Sequence, residues 1–537
     1  MTSRQPDEFD DDRRSFASRT PVNDNPDQVV YRRGFVTRHQ VSGWRFVMRR
    51  IASGVALHDT RMLVEPLRTQ ARAVLMGLLV LVTVAAGCFA FTLIWPSGAA
   101  GNDPVLADKS TSALYVRLGD QLHPVLNLTS ARLIIGRPVN PTVVKSAALD
   151  KFPRGNLIGI PGAPERMVQN TTRDADWTVC EAVTGPAAGV TVIAGPPEAG
   201  GARAGALDSQ QAALVGRGDS AWLLWEGRRS RIDLTDRAIT GALGLGGDVP
   251  APRSISSGLF NAIPEAPALT APVIPDAGGP PRFDLPVPAP IGAVVESHAL
   301  DGASTSGMLY YAVLPDGLQP ISAVAAAVLR NTNSYGLDQP PRLGADQVAK
   351  LPVSRALDTS RYPEHPISLT DPVRDPITCA HWTKPAGAST GQLTLLSGSA
   401  LPLPASVRTL DLVGAGAGGT ASRVALAPGT GYFVQSVAGQ SAAGATGSAG
   451  SLFWVSDVGV RYGLDTETDT GIGGGQPKTV TALGLQQPAL EIPWSVLSLL
   501  APGPTLSRAD ALLAHDGLAP DQRPGRRAVT ASGGETR

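Results

Sequence analysis

A charge of one sign is missing from this chain. Its 537 residues carry 46 Lys+Arg against 46 Asp+Glu, so no global field draws it to nucleic acid and a free-standing nucleic-acid binder is disfavoured. Lysine is scarce: six Lys stand beside forty Arg, a bias of base composition from which no function follows. Aromatic residues make up 5%. Three cysteines, Cys88, Cys180 and Cys379, exclude a disulfide-dense scaffold or a multi-cysteine zinc site, yet leave room for one bridge.

Motifs of chemistry are missing too. Nucleotide hydrolysis needs a backbone cradle for phosphates and a lysine delivered by a helix, and no G-x-x-x-x-G-K-S/T occurs. The nearest stretch, GIGGGQPKTV at 471–480, has Pro477 directly before Lys478 and no helical pattern after it, so it reads as a turn between strands. Acyl hydrolysis has no G-x-S-x-G elbow, and His123, His298, His365, His381 and His515 lie in unrelated contexts. HExxH and CxxC are absent, so no catalytic residue, cofactor or metal ligand is nominated. Paired carboxylates for glycoside cleavage stay open, because distant Asp and Glu can meet in space, but nothing singles out two.

One long apolar run is present. Ala73 to Trp95 holds no charge over 23 residues, enough at about 1.5 Å per residue to cross a hydrocarbon core of roughly 30 Å. The 72 preceding residues are too many for a signal peptide's charged region, so an uncleaved anchor is expected. Arg45, Arg49, Arg50, Arg61, Arg68 and Arg72 precede the run, while the twenty residues after it hold only Lys109, which places the N-terminus in the cytoplasm and the bulk outside. Residues 1–72 are the cytoplasmic segment. Its first 30 residues lack periodicity and should be extended until bound. Between 41 and 55, Val41, Trp44, Val47, Met48, Ile51 and Val55 share one helical face and Arg38, Arg45 and Arg49 another. Such a helix can lie on anionic lipid, pack on a partner, or simply fix topology through its arginines.

Beyond the run the chain is rich in turn formers, with Gly 59 and Pro 46, and should be mainly β with short helices (α+β). Four stretches share a hydrophobic strand, a turn and a second strand: from Leu114, Trp222, Tyr310 and Phe453, at least the first three followed by a short helix. Further matches keep the same order near 200 residues apart: SAALD at Ser146 with SRALD at Ser354, WTVCEA around Cys180 with ITCAHW around Cys379, and VTVIAG from Val190 with LTLLSG from Leu393. SGLFNAIPEAPAL from Ser257 resembles WSVLSLLAPGPTL from Trp494. A duplicated pair is therefore expected: a linker at 96–112, a first repeat pair at 113–263, a Pro-rich connector at 264–290, a second pair with closing segment at 291–515, and a loose tail at 516–537. Since no single repeat can bury its apolar face, the four should stack into one elongated body with internal pseudo-two-fold symmetry. GQSAAGATGSAGS at 439–451 reads as a flexible loop peculiar to the second half, and Ser507 with Asp510 as a capping box for RADALLAHD, closing at Asp516-Gly517.

Cys180 and Cys379 fall at equivalent places in the two halves, facing an oxidising compartment. A bridge between them is the expected pairing, two unpaired buried thiols the alternative.

The stretch VYRRGFVTRHQVSGWRFVMRRIASGVALHDTRMLVEPLRTQARAVLMGLLV, with one span, four repeats and two symmetry-related cysteines after it, resembles the EccB family of type VII (ESX) secretion systems. RRSFASRTPVN, FPRGNLIGIPGAPERMVQN and PWSVLSLLAPGPTLSRADALLAHD are similar to the branch serving the third ESX system. The resemblance covers nearly the whole chain. It implies a subunit of an inner-membrane core complex with the EccC motor ATPase, EccD, EccE and further EccB copies, supplying its periplasmic mass. Family members have also been labelled ATPases, which makes ATP hydrolysis one alternative function. A cell-wall-binding module is another.

Overall fold

The computed structural model describes residues 38–58, 66–94, 100–185, 188–247, 249–298, 307–415, 419–437, 450–466 and 478–517. The expectations for the first 30 residues, the loop around 439–449 and the tail after 517 lie outside them. Two compact units result, Met1–Pro96 and Ser97–Arg537.

The first unit holds α1 (Arg38–Leu57) and α2 (Pro66–Ile94). An apolar stretch of α2, Gln70–Phe91, is long enough to cross a membrane and none of it is buried.

The second unit is a β-rich body. Module 1 comprises β1 (Val105–Asp108), β2 (Leu114–Leu118), β3 (Gln121–Val125), α3 (Leu128–Ile135), β4 (Thr142–Val144) and α4 (Ser146–Leu149). Three strands then leave it: β5 (Ala175–Ala182), β6 (Gly189–Ala194) and β7 (Gly205–Ala206). Module 2 follows as β8 (Gln211–Arg217), β9 (Ser220–Trp225), β10 (Arg228–Ile232), α5 (Arg237–Ala242), β11 (Arg253–Ser254), α6 (Ser257–Ala262) and β12 (Glu265–Leu269). Module 3 has β13 (Val294–His298), β14 (Met308–Leu314), β15 (Gly317–Ile321), α7 (Ala323–Thr332), β16 (Arg342–Leu343) and α8 (Ala345–Val348). After it come β17 (Ser368–Leu369), β18 (Ile377–Lys384), β19 (Gln392–Gly398), β20 (Leu410–Asp411) and β21 (Arg423–Ala425). Module 4 is β22 (Tyr432–Val437), β23 (Leu452–Val455), β24 (Val460–Gly463), α9 (Lys478–Leu483), β25 (Leu490–Pro493), α10 (Trp494–Leu497) and β26 (Ala501–Pro502), with α11 (Arg508–Ala511) closing the body.

All four modules follow one plan. Three antiparallel strands form a meander, a helix crosses back, and a short strand pairs parallel with the first: β4 on β1, β11 on β8, β16 on β13, β25 on β22. A further segment then runs parallel to the third strand, as β12 on β10, β26 on β24, Arg154 beside Leu122 and Val353 beside Leu318. The four expected hairpins all begin on the second strand of this plan. Side-chain caps start the helices: Asn127, Asp236 and Ser322 each accept from a backbone N–H of the first turn, and α3 ends at Gly136 with φ 77°, the left-handed position glycine takes without strain. Proline enters these sheets only where its missing N–H does no harm, in outer strands such as β12 (Pro267) and β25 (Pro493).

Several boundaries differ from the sequence reading. The expected linker 96–112 contains β1, and the connector 264–290 opens with β12. Later in that connector Phe283, Leu285 and Val287 alternate against Val295, Val313 and Leu318, so the proline-rich run coats module 3 instead of bridging free space. SAALD and SRALD are not equivalent: Ser146 starts α4, whereas Ser354 follows the extended segment beside β15, and α8 takes the place of α4. A helix does follow Pro477, since α9 starts at Lys478. Ser507 caps α11 by accepting from the Asp510 N–H at 2.9 Å, but its hydroxyl donates to the Asp510 carboxylate at 2.7 Å, so the reciprocal half of the expected capping box is not made; α11 lasts one turn, because Ala514 pairs with Ile158 and the Leu157 N–H donates to Asp516 at 2.9 Å.

Where two modules share a core, they come from different halves of the chain. Val116, Ala131 and Leu133 of module 1 pack with Trp454, Tyr462 and Val480 of module 4. Leu214, Trp225 and Ile239 of module 2 pack with Val324 and Val328 of module 3. Between them lies a seven-stranded sheet in the order β20-β21-β6-β5-β18-β19-β7. Its inner four strands come two from each half and read alike from either side. Trp177, Val179, Ala380 and Trp382 on one face meet Leu259, Val434 and Val496.

Candidate assembly elements and the inter-half bridge

In α1 the apolar residues recur at 41, 44, 48, 51 and 55, the three-and-four alternation that keeps a stripe on one side of a helix. Val41, Trp44, Val47, Met48, Ile51 and Val55 are all exposed, Trp44 at 65%, and so are Arg38, Arg45 and Arg49. No acidic residue occurs in the helix. The expected face therefore exists and is bare.

In the central sheet β5 and β18 run antiparallel with Cys180 directly opposite Cys379. Their sulfurs are bonded at 2.08 Å and neither residue is exposed. Because equivalent residues of the two halves pair with each other here, the pseudo-dyad passes through this bridge. On flanking strands Thr191 aligns with Leu396, two residues beyond the match in sequence, a shift that keeps every side chain on its face.

Two titratable groups flank the bridge. His381 is buried on the disulfide's side of the sheet, one ring nitrogen 2.9 Å from Thr178 Oγ1 and the other 3.6 Å from Asp176. Burial pushes its pKa below the ordinary histidine value, and Asp176 only partly offsets this. Glu181 accepts from the Ser256 N–H at 2.8 Å. Burial raises its pKa against that hydrogen bond and the attraction of Arg253.

The histidines do not converge. His123 meets the Asn156 carbonyl, His515 the Gly159 carbonyl, and His298 and His365 are exposed on separate segments. Among the described residues no group of three or more His, Cys, Asp or Glu could hold a metal ion. The described part of α9 runs Lys478–Leu483, and residues 471–477 before it lie outside the described segments.

Missed from the sequence were two arginines. Arg229 and Arg461 occupy the second residue of the third strand in modules 2 and 4. Arg461 Nη1 donates to the carbonyls of Leu497, Ser498 and Leu500, and Arg229 Nη1 to those of Phe260 and Ile263. Each thus satisfies the end of a buried helix, α10 or α6. Arg229 also lies 4.0 Å over the Phe260 ring and Arg461 5.5 Å over Trp494. Placing Trp222 opposite Phe453 and allowing one extra turn residue would have aligned the two.

An exposed amphipathic helix, one span-length apolar helix among the described residues and a β body duplicated about its own pseudo-dyad are what the structure sets out. Residues 33–520 match the family described as "Type VII secretion system ESX-1, transport TM domain B", and the chain belongs to that family. It is 69% identical over 544 residues to the Mycobacterium tuberculosis protein named ESX-3 secretion system ATPase EccB3, covering 99% of this chain and 100% of the relative. The Mycolicibacterium smegmatis protein of the same name is 64% identical, over 95% of this chain and 96% of the relative. A chain from the EccB3 dimer of the ESX-3 core complex superposes with TM-score 0.67 at 58% identity, covering 77% of this chain and 100% of that one. A chain of the intact ESX-5 inner membrane complex gives TM-score 0.69 at 37% identity, over 93% and 100%.

Proposed function

We propose that this chain is a structural and assembly subunit of a type VII secretion membrane complex, its N-terminus cytoplasmic and its β body periplasmic. The observation that carries this reading is the likeness to the EccB3 dimer chain, at an identity where fold and mode of association are usually retained together. The arginine-rich flank before α2 supports the orientation, and a buried disulfide suits a body on the oxidising side. Copies of itself and the EccC, EccD and EccE components are its partners, α1 its cytoplasmic docking element. Hydrolysis is assigned to another chain of the complex despite the ATPase in the relatives' names. The sequence holds no G-x-x-x-x-G-K-S/T motif to support that label.

The test is co-purification. From detergent-solubilised membranes the tagged chain should recover the other core components. Changing Trp44 and Met48 to Glu should leave insertion intact and cut that recovery at least fivefold, because charge replaces the docking face. Recovery of the unaltered chain alone would overturn the assembly reading, and undiminished recovery by the variant would reduce α1 to a topology device.

A further inference from the structure

Two junctions of the body are related by the dyad, yet they differ. At each, the segment entering the central sheet runs beside the first strand of a module: the Asn170 N–H donates to the Gly431 carbonyl at 2.8 Å, the Thr370 N–H to the Ala212 carbonyl at 2.9 Å. The loop from first helix to outer parallel strand supplies the facing wall, from residues 243–247 and 249–252 in module 2 and from 484–489 in module 4; the loop is ten residues long in the one and six in the other.

At module 2 the walls touch. The Ile367 N–H donates to the Leu243 carbonyl at 2.9 Å. Pro250 and Ala251 line what remains, Arg253 reaches in to the Pro376 carbonyl, and the cavity measures about 10 Å³. At module 4 the Gln169 side chain stands between the walls as a strut, accepting from the Gln486 N–H at 2.7 Å and donating to the Gln486 carbonyl at 2.9 Å. Leu490 replaces Arg253 in the strand register. A cleft of about 700 Å³ stays open, with Thr171, Lys384, Ala388 and Ala489 on its sides.

Resting on the assembly reading above, we propose that this cleft receives a short extended segment of another protein chain of the complex, small-residue and proline-bearing. It takes the place that Pro250, Ala251 and the Arg253 stem take at the closed junction. The molecule itself shows what complements such walls: polypeptide. The lining is mostly amides, small residues and prolines, with Leu490, Arg173 and the Lys384–Glu491 ion pair, and it holds no aromatic ring that could serve as a platform for stacking a sugar. Amide side chains and small residues along the walls suit a backbone laid alongside them.

The experiment uses the full chain in membranes. A photo-activatable phenylalanine analogue placed at Thr171 or Ala388 should form an adduct with a polypeptide that mass spectrometry identifies as a co-purifying subunit, and the same analogue at Pro250 should not. A second variant, Ala388→Trp, fills the cleft and should lower recovery of the complex at least fivefold while the Cys180–Cys379 bond still forms. No protein adduct from either cleft position while the unaltered chain co-purifies normally would overturn the proposal. Adducts with lipid or glycan alone, equal adducts at Pro250, or full recovery with Ala388→Trp would do the same. Failure of the unaltered chain to recover any subunit would instead overturn the assembly reading.

Discussion

Modules 1 and 3 solve one packing problem differently from modules 2 and 4. At the second residue of the third strand the former place Leu122 and Leu318, both buried, and the latter Arg229 and Arg461. The reason lies in the second helix of each module. In modules 2 and 4 that helix, α6 or α10, is pressed against the central sheet, with Leu259, Val496 and Leu497 in the shared core. Its last carbonyls lie in a part-buried site where packing against the sheet limits their access to water, and the guanidinium meets them. In modules 1 and 3 the corresponding α4 and α8 bury only Leu149 and nothing respectively, so solvent does the work and the strand position is free to be apolar. The same strand order thus tolerates opposite chemistry wherever the surroundings decide which group is left unpaired.

The harshest way to break this comparison is to exchange the chemistries. Leu122→Arg puts a guanidinium where no buried helix end waits for it, and should cost more than about 4 kcal/mol, seen as loss of the folded body in limited proteolysis. Next comes the bridge on the dyad. Reducing it, or changing both cysteines to Ala, frees a loop spanning a sequence separation of 199, for which chain entropy gives about 5 kcal/mol as an upper bound and strain or residual structure a smaller net loss. Chemical denaturation with and without reductant should separate clearly, and coincident curves would mean the halves are held by packing alone. Arg461→Met keeps the apolar stem but orphans three carbonyls, an expected loss of about 2 kcal/mol given the half-exposed site. Arg508→Met, which ends no buried helix, should cost under about 0.5 kcal/mol in the same assay. The smallest effect is electrostatic. His381 is held below its ordinary pKa by burial, so the unfolded chain takes up a proton first as pH falls, and stability declines from the ordinary histidine value of about 6.5 down to the lowered native one. The body should melt about one degree lower at pH 5.5 than at pH 7.5. His381→Asn should shrink that difference, and an unchanged difference would assign it to other groups.

Legibility followed locality. The hairpins around Leu114, Trp222, Tyr310 and Phe453 could be read because alternation and a glycine or acidic turn are local signals. The parallel strands β4, β11, β16 and β25 could not: each is two to four residues long and has no turn beside it, so its partner is chosen by tertiary packing. α9 was misread because KTVTAL carries β-branched residues. It is helical because Val480, Ala482 and Leu483 fill the core shared with module 1. The cysteine pairing was legible through duplication alone, since equivalent residues can meet only on a symmetry axis. The face of α1 was legible from its period. The arginine donors and the open cleft were not, because both depend on which helix end or loop arrives from far along the chain.

That long reach has a consequence for how the protein is made. Module 1 leans on Trp454, Leu506 and Ala511, residues synthesised some 300 positions later, and Cys180 waits for Cys379. Closing such distant contacts is slow, because the entropy of the intervening loop is spent before the contact repays it. Module 1 closes one core from its own residues, Leu106, Leu122 and Leu149 among them, but its second core waits for module 4, and a chain cut short near residue 450 carries an unfinished module 1. The fold in this way checks its own completeness before it can offer a finished surface to any neighbour.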